Sequence, residues 1–377
     1  MRTINFIIML LCCVAPIGVA AQYSSIRMFR PHKTELIFAG DIMQHQAQLE
    51  AARTASGTYS YSGYYRHIKE VISKADIAVA NLETPIGRNR FSGYPSFCAP
   101  DSFLYAAKDA GFDVMLFANN HCMDRGREGA MHTLNLLDSL KILHCGVYRN
   151  AEERAARYPL IIESEGVRIA LLNYTYGTNG HPVPHPMVVN LIDKETIAAD
   201  IQKAREKRPD VIIACMHWGD EYVSTPPARV KEMSQWLIEQ GVDHIIGNHP
   251  HVLQPIDIRR GEESLKRHAV VYSTGNLVSN MSLRGTDGGM IVKMSLNKVL
   301  NYTGLSSFRY MFTWIAPKRA DGKRDFTILP AATTLITGDS HAQSKLRIFL
   351  EDSRQLFLKQ NKGDMEEFTT DTVKITL

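Results

Sequence analysis

Two histidines separated by one proline, His249 and His251, are the residues in this sequence best suited to metal chemistry. They follow an apolar run that ends at Gly247, which predicts a short buried strand leading into a loop at the edge of a sheet. In an extended backbone residues i and i+2 project to the same side, and Pro250 biases His249 toward that conformation. The two imidazoles are therefore expected to converge in one cleft, as a transition-metal site requires. From the tripeptide alone, a proline-stiffened loop with local histidine hydrogen bonds is an equally good interpretation.

Five further predicted strands also end in side chains that could bind a metal or a substrate. The strands span residues 34–39, 75–80, 112–118, 210–216 and 268–272, and the side chains that follow them are Asp41, Glu83, Asn120 with His121, His217, and Ser273 with Asn276. One polar residue at a strand end is common, whereas repetition at six strand ends is not. In a layered α/β fold such ends share one edge, where loops on a rigid scaffold build the site, so we expect these side chains to meet.

The side-chain types favour one group of metals. Carboxylate, amide oxygen and imidazole suit Mn, Fe or Zn better than Ca or Mg. The candidate ligands outnumber the needs of one tetrahedral ion, so two ions that share Asp41 or Glu83 are the economical interpretation. Such a pair would activate a water molecule and polarise a phosphoryl or carbonyl oxygen. His121 would then be free to protonate the leaving group.

The intervening segments predict the elements that hold these side chains. Helices are expected at residues 128–140, 194–207, 227–240 and 344–359. Alternation of these helices with buried strands predicts an α/β fold. Asp124, just before the first of them, could simply cap that helix. The Gly- and Pro-rich loop from Tyr176 to Pro184 could form one wall of the cleft.

Six motifs, in order along residues 36–280, carry a specific resemblance. They are Gly40-Asp41, Asn81-Leu82-Glu83, Asn119-Asn120-His121-x-x-Asp124-x-Gly126, His217-Trp218-Gly219-x-Glu221-Tyr222, Gly247-x-His249-Pro250-His251-Val252 and Ser273-x-Gly275-Asn276. This series resembles the CapA family, which is named for poly-γ-glutamate capsule biosynthesis. That family is similar in turn to calcineurin-like metallophosphoesterases. The resemblance implies a four-layer α/β/β/α sandwich with a dinuclear metal site.

The resemblance also implies roles, position by position. Asp41, Asn120, His217, His249 and His251 match metal ligands, and Glu83 stands where the phosphoesterases keep a bridging Asp. His121 matches their general acid, and Asp124, which follows the CapA pattern, is the other catalytic candidate. The remaining motif positions are candidates for substrate contact or for support of the ligands, namely Glu221, Trp218, Tyr222, Ser273 and Asn276.

One position departs from the phosphoesterase pattern. The histidine usually found two residues after the first Asp is Met43 in this chain, so one of the two ions loses a nitrogen ligand. Gln44 or His45 would have to replace it, or that ion would bind weakly or be absent. The second site is therefore the less certain of the two. Glu83 has a longer side chain than the bridging Asp of the phosphoesterases, so the position of the bridging carboxylate would also shift.

Three functions remain open on this basis. The first is an exported metal-dependent hydrolase or transferase that cuts or transfers a γ-glutamyl amide or a phosphoester of an envelope polymer. The second is a non-catalytic polymer-binding or assembly subunit of a capsule synthesis or export complex, which Met43 favours slightly. The third is a plain phosphomonoesterase or nucleotidase. The expected partners are an anionic envelope polymer or phosphoester and capsule synthesis or export proteins.

Composition and the N-terminal residues indicate what kind of protein this is and where in the cell it is located. The 377 residues are 45% hydrophobic and 22% charged, which is ordinary for a globular protein. The net charge of +4 is spread along the chain without a basic stripe, which argues against nucleic acid as a partner. A basic start, a short apolar stretch and small residues up to Ala20 and Ala21 predict a secretory signal peptide at residues 1–21, hence a periplasmic or envelope location. A lipoprotein signal at Cys12 or Cys13 and an uncleaved anchor are the alternatives.

The remaining expectations concern domains and thiols. We expect a metallophosphoesterase-like core at residues 34–285, with residues 286–377 completing or flanking the sandwich. No segment after the signal is long and apolar enough to cross a membrane. Four cysteines remain beyond the signal without a C-x-x-C pair, and the sequence does not choose a disulfide among Cys98, Cys122, Cys145 and Cys215.

Overall fold

The computed structural model describes residues 31–261, 266–319 and 322–377. The predicted signal peptide, residues 1–21, lies outside these ranges. Across the described residues, none of the helices combines the length and the apolar character that crossing a membrane would need.

The strands and helices are numbered here in chain order. The strands are β1 (His32–Ile42), β2 (Ile77–Leu82), β3 (Val114–Leu116), β4 (Leu143–Cys145), β5 (Val147–Tyr148), β6 (Leu160–Ser164), β7 (Val167–Thr175), β8 (Val188–Val189), β9 (Val211–His217), β10 (His244–Asn248), β11 (Ile256–Arg260), β12 (Arg267–Val271), β13 (Asn276–Val278), β14 (Gly288–Val299), β15 (Tyr302–Ile315), β16 (Ile328–Pro330), β17 (Thr334–Thr337), β18 (Glu366–Glu367) and β19 (Val373–Thr376). The helices are α1 (Gln46–Ala52), α2 (Lys69–Ser73), α3 (Asp101–Ala110), α4 (Gly126–Ser139), α5 (Ala151–Arg157), α6 (Lys194–Glu206), α7 (Ala228–Glu239) and α8 (Ser340–Gln360), with a 3₁₀ turn at Ala331–Thr333.

Two large sheets form the centre of the molecule. The first runs β16-β15-β14-β1-β2-β3-β4, with β13 paired to β1 and β18 to β15. The second runs β11-β12-β10-β9-β7-β6. In each sheet the central strands are parallel, so their carboxyl ends meet at one edge.

Strand β1 shows how the layers are stacked. Leu36 and Phe38 lie in the core shared with the second sheet, whereas the alternate residues Ile37 and Ala39 lie in the core shared with α3 and α4. This two-residue alternation is what a strand between two layers requires. Helices therefore cover the outer face of the first sheet.

The second sheet is covered in the same way. All seven residues of β9 are buried, so the strand has a neighbour on both faces. Helices α6 and α7 connect β7 to β9 and β9 to β10, and such parallel crossovers place both helices on one face. Ile201 and Leu237 from these helices are buried in that core. The predicted four-layer α/β/β/α sandwich is confirmed.

The chain returns to the first sheet after the second is complete. Strand β14 pairs antiparallel with β1, and β15 and β16 extend the sheet beyond it. Helix α8 packs Phe349 and Phe357 against Phe312 of β15. Strands β14, β15 and β16 are thus integral to the first sheet.

Candidate metal centre

The carboxyl ends of the two sheets bring the predicted ligands together. In the first sheet Asp41 pairs in register with Asn81 of β2 and Asn276 of β13. In the second, Asn248 of β10 pairs with His217 of β9, immediately before His249. One sheet therefore supplies carboxylates and the other supplies imidazoles.

Glu83 lies at the centre of this group. Its carboxylate and one nitrogen each of His249 and His251 all lie within 4.8 Å of one another, and so do ligand atoms of Asp41, Glu83 and His217. All five residues are buried. The two overlapping groups share Glu83, as a bridging carboxylate between two ions would require.

The hydrogen bonding of Glu83 tests whether a cation fits here. Neither carboxylate oxygen accepts a hydrogen bond from any described residue, although Nε2 of His217 lies 3.4 Å from Oε1. Burial, followed by the nearby Asp41, raises the pKa of Glu83 well above its usual value. A buried carboxylate without donors is costly, and a divalent ion among these oxygen and nitrogen atoms would satisfy it. The residues present fit a divalent metal.

The histidines are held in the form that binds metals. Burial lowers the pKa of His217 well below its usual value and that of His249 to about 2, and neighbouring imidazoles add to both shifts. Nδ1 of His249 is buried without a hydrogen-bond partner. Both rings are therefore neutral at pH 7, so metal binding would not have to displace the second proton of a charged imidazolium.

Amide side chains orient the ligands. Nε2 of His217 lies 2.9 Å from Oδ1 of Asn120, so these two candidate ligand atoms face the same point. Asn81 donates to Oδ1 of Asp41 at 2.8 Å and fixes that carboxylate. Nδ1 of His251 lies 3.0 Å from Oδ1 of Asn276, which leaves Nε2 of His251 on the side of Glu83.

The backbone of the His-Pro-His segment differs from the expected one. His249 and His251 have φ values of 100° and 57°, so neither is extended and the extended-strand prediction is wrong. The reason is that β10 ends at Asn248 and the chain then bends so that the amide of His249 lies 3.4 Å from Oδ2 of Asp41. The rings still converge, with centroids 5.9 Å apart. Left-handed backbone costs about 1–3 kcal/mol per residue and is typical of functional sites.

His121 and Asp124 form a second, adjoining group. Nδ1 of His121 lies 2.8 Å from Oδ2 of Asp124, and that oxygen also accepts the backbone N–H of Phe97 at 2.7 Å. Asp124 therefore does not cap α4, whose N-cap is Arg125 without a side-chain bond, and that alternative is wrong. The Phe97 ring packs edge-on against His121, with centroids 4.5 Å apart. Together these contacts fix the imidazole.

Tyr176 and Asn179 belong to the site although neither was singled out as a functional residue. The Tyr176 ring lies 4.6 Å from His249 and nearly parallel to His217 at 6.4 Å. Asn179 accepts hydrogen bonds from Asn120 and from the Tyr176 hydroxyl, both at 3.3 Å. Both residues belong to the Gly- and Pro-rich loop that the sequence predicted as a wall of the cleft. Tyr176 of this loop does lie against the metal candidates.

The remaining predicted residues surround the centre at different depths. Glu221 and Tyr222 are exposed at the rim, with the Tyr222 ring 6.1 Å from His251. Trp218 is buried and donates its indole N–H to the carbonyl of Tyr272 at 3.1 Å. Ser273 is buried as well and donates to the carbonyl of Val252 at 2.7 Å. Trp218 and Ser273 thus hold the loops that carry the histidines.

The position of Met43 is apolar and buried. Next to it, Gln44 is buried with Oε1 unpaired, while its Nε2 donates to the carbonyl of His45 at 2.8 Å. Burial lowers the pKa of His45 to about 4, and its Nδ1 lies 3.2 Å from the backbone N–H of Asn280. The Gln44 side-chain oxygen is therefore unpaired among the described residues, whereas Nδ1 of His45 is already hydrogen-bonded.

Comparison with known proteins gives concordant matches. The family profile described as "Bacterial capsule synthesis protein PGA_cap" matches residues 35–281. "Capsule biosynthesis protein CapA" of Bacillus anthracis is 24% identical over 315 residues, which cover 78% of this chain and 72% of that protein. "PGA biosynthesis protein CapA" of Bacillus subtilis (strain 168) is 26% identical over 333 residues, 83% of this chain and 81% of that protein. Among solved structures, the calcineurin-like phosphoesterase YfkN from Bacillus subtilis aligns with a TM-score of 0.43 and 12% identity, over 88% of this chain and 99% of that chain.

Proposed function

Because the chain belongs to the bacterial capsule synthesis protein family PGA_cap, we propose that it is an exported, metal-dependent hydrolase or transferase acting on an anionic polymer of the cell envelope. The observation that supports catalysis is the unpaired, fully buried carboxylate of Glu83 among Asp41 and the three histidines. The bond attacked would be an amide, as in a γ-glutamyl chain, or a phosphoester. A relative named for PGA biosynthesis favours the amide.

The proposed metal ligands are the side chains that converge at the sheet edges. They are Asp41, Glu83, Asn120, His217, His249 and His251. Two divalent ions of the Mn, Fe or Zn type would supply an activated water and a Lewis acid there. Asn81 and Asn276 keep Asp41 and His251 in the orientation that such binding needs.

His121 is the proposed general acid. Because its Nδ1–H faces the Asp124 carboxylate, its Nε2 is left to hold a proton and release it to a leaving group. Asp124 would stabilise the charged imidazolium, and Phe97 keeps the ring from rotating. His121 and Asp124 lie next to the proposed metal ligands but are not themselves proposed as ligands.

Tyrosines at the rim supply the proposed contacts with the polymer. Tyr176 and Tyr222 are 48% and 46% exposed, so their rings face both the metal candidates and solvent. Burial, followed by the charge of Glu221, raises the pKa of both phenols to about 12. At neutral pH each phenol keeps its proton and can donate a hydrogen bond to a carboxylate or phosphate oxygen.

A non-catalytic polymer-binding subunit is the second candidate. The observation that favours it is the buried apolar Met43 at a position where a ligand is expected. A binding subunit needs no filled metal site, whereas the hydrolase does. Metal content therefore separates the two candidates.

The first experiment is metal stoichiometry on protein purified without added metal and without chelator. About two equivalents of divalent metal are expected, and loss of both in a His249→Ala, His251→Ala variant. A His67→Ala, His341→Ala variant, which removes two histidines outside the site, is the matched control and should retain the metal. If the parent takes up no Mn or Zn even after incubation, the two-metal proposal fails. A filled site justifies assays with γ-glutamyl amides and phosphoesters.

A further inference from the structure

A cavity beside the His121–Asp124 pair is lined by none of the metal candidates. It has a volume of about 610 Å³ and lies between residues 87–98 and the first half of α4. That volume is in the range of small-ligand pockets. The charged and polar side chains that matter in its lining are Arg88, Arg90, Arg125, Glu128, His132 and Asn135.

The lining carries more positive than negative charge. Arg88, Arg90 and Arg125 face one acid, Glu128, and across the described ranges none of the three forms an ion pair with a carboxylate. Elsewhere in the chain, arginines such as Arg149 and Arg229 do pair with acids. Three guanidinium groups beside one acid, none of them ion-paired among the described residues, leave room for the carboxylates of a ligand.

Two of these arginines are free to reach a ligand, and the third supports the pocket. Within the described ranges, the one side-chain hydrogen bond of Arg88 runs from its Nε to Nδ1 of His132, at 3.3 Å, and both Arg88 and Arg90 are exposed. Arg125 instead donates to the carbonyls of Arg90 and Ser96, at 3.3 and 3.0 Å. Its Nε is buried without a partner. Arg125 therefore holds the loop that forms the cavity wall.

One short segment separates this cavity from the proposed general acid. Phe97 packs against His121 and donates its N–H to Asp124, while the next residue, Cys98, lines the cavity. Arg125 follows Asp124 in the chain and bonds the carbonyl of Ser96. The cavity and the His121–Asp124 pair thus lie on two sides of the same loop.

We propose that this cavity is a subsite for carboxylates of the polymer, beyond the residue that reacts. Guanidinium groups bind carboxylates in bidentate geometry, and a chain that presents repeated carboxylates could engage Arg88 and Arg90 while its reacting bond lies at the metal centre. The identity of the ligand rests on the proposed function. The existence of an anion site rests on the cavity and its arginines.

The test measures binding of a fluorescein-labelled, γ-linked hexaglutamate to the full chain by fluorescence anisotropy. In an Arg88→Ala, Arg90→Ala variant the dissociation constant should rise at least tenfold. Arg127→Ala is the matched control, because Arg127 is exposed on the same helix and does not line the cavity, and its dissociation constant should stay within twofold. Arg125 is left intact because it supports the loop.

Three outcomes would overturn the proposal. They are an unchanged dissociation constant in the double variant, an equal loss in Arg127→Ala, and binding of an oligophosphate of matched charge in place of hexaglutamate. The His249→Ala, His251→Ala variant separates this test from that of the proposed function, because it should lose metal, yet Arg88→Ala with Arg90→Ala should still raise the dissociation constant in that background. Conversely, the arginine double variant should keep the parent's metal content.

Discussion

Replacing Glu83 by glutamine is expected to stabilise the metal-free protein and to abolish its response to metal. The Glu83 carboxylate is fully buried and accepts no hydrogen bond, and burial beside Asp41 raises its pKa well above 4.5. Glutamine has nearly the same shape without the charge. Its amide group can donate to Asp41, so the substitution removes an unfavourable group and leaves no cavity.

The expected size follows from the cost of an unsatisfied buried group. Such a group costs about 1–3 kcal/mol, so the metal-free variant should gain about 2 kcal/mol in its free energy of unfolding. For a chain of 377 residues this corresponds to a rise in Tm of about 3 °C. Metal at one hundred times its Kd would stabilise the parent by about 2.7 kcal/mol and the variant hardly at all. Addition of metal should therefore reverse the order of the two Tm values.

The pH dependence provides a second signature of the same group. Because the folded state holds the proton of Glu83 more tightly than the unfolded chain, this residue stabilises the fold at low pH. That contribution is lost as pH rises above 4.5 and through the raised pKa, and the glutamine variant should lack this loss.

Thermal unfolding in chelator and in excess Mn²⁺, each at pH 6 and pH 8, measures both effects. Glu232→Gln, at an exposed glutamate, is the control and should behave as the parent does. A glutamine variant that is less stable than the parent in chelator, yet equally stabilised by Mn²⁺, would refute the reasoning.

Three other predictions concern the acid pair, one glycine and one buried histidine. His121→Asn should lower turnover of a substrate about 10²- to 10⁴-fold and leave the metal content unchanged. Asp124→Asn should lower turnover by a smaller factor. Steady-state kinetics and metal analysis of both variants check these outcomes. Gly40→Ala should lower the free energy of unfolding by about 3 kcal/mol and weaken metal binding, because a Cβ there would overlap the carbonyl oxygen of Gly275 and displace the adjacent Asp41. Chemical denaturation measures the first effect, and metal titration measures the second. Burial lowers the pKa of His244 to about 4. Between pH 6.5 and pH 4 the unfolded chain therefore binds a proton at this residue, whereas the folded protein does not. The free energy of unfolding should therefore fall by about 3 kcal/mol between pH 7 and pH 4 through this group, and the slope should flatten in His244→Gln.

Much of the candidate site could be predicted because it depends on local patterns. Apolar runs of strand length, each ending in an acid, amide or imidazole, indicate where a parallel sheet presents its side chains, and the register of β1 with β2 and β13 does align Asp41, Asn81 and Asn276. The four-layer fold followed from the motif series and is confirmed by the two sheets.

What escaped prediction depends on contacts distant in sequence. The left-handed backbone of His249 reflects its contact with Asp41, 208 residues earlier. Asp124 looked like a helix cap because its partners, His121 and the Phe97 amide, are set by the fold of the preceding loop. The arginine cavity likewise joins a loop and a helix that are separated in the chain by α3. No local periodicity encodes such pairings.

The division of the candidate ligands between two sheets has a consequence for biosynthesis. Asp41, Glu83 and Asn120 are made first, and the three imidazoles follow only at residues 217, 249 and 251. Strand β14, which flanks β1, comes later still. Under the proposed function, a nascent chain would hold carboxylates without the candidate nitrogen ligands, and tight metal binding would await docking of one sheet on the other. Metal would then bind tightly only after both sheets have folded and packed together, so metal binding would be a late step in folding.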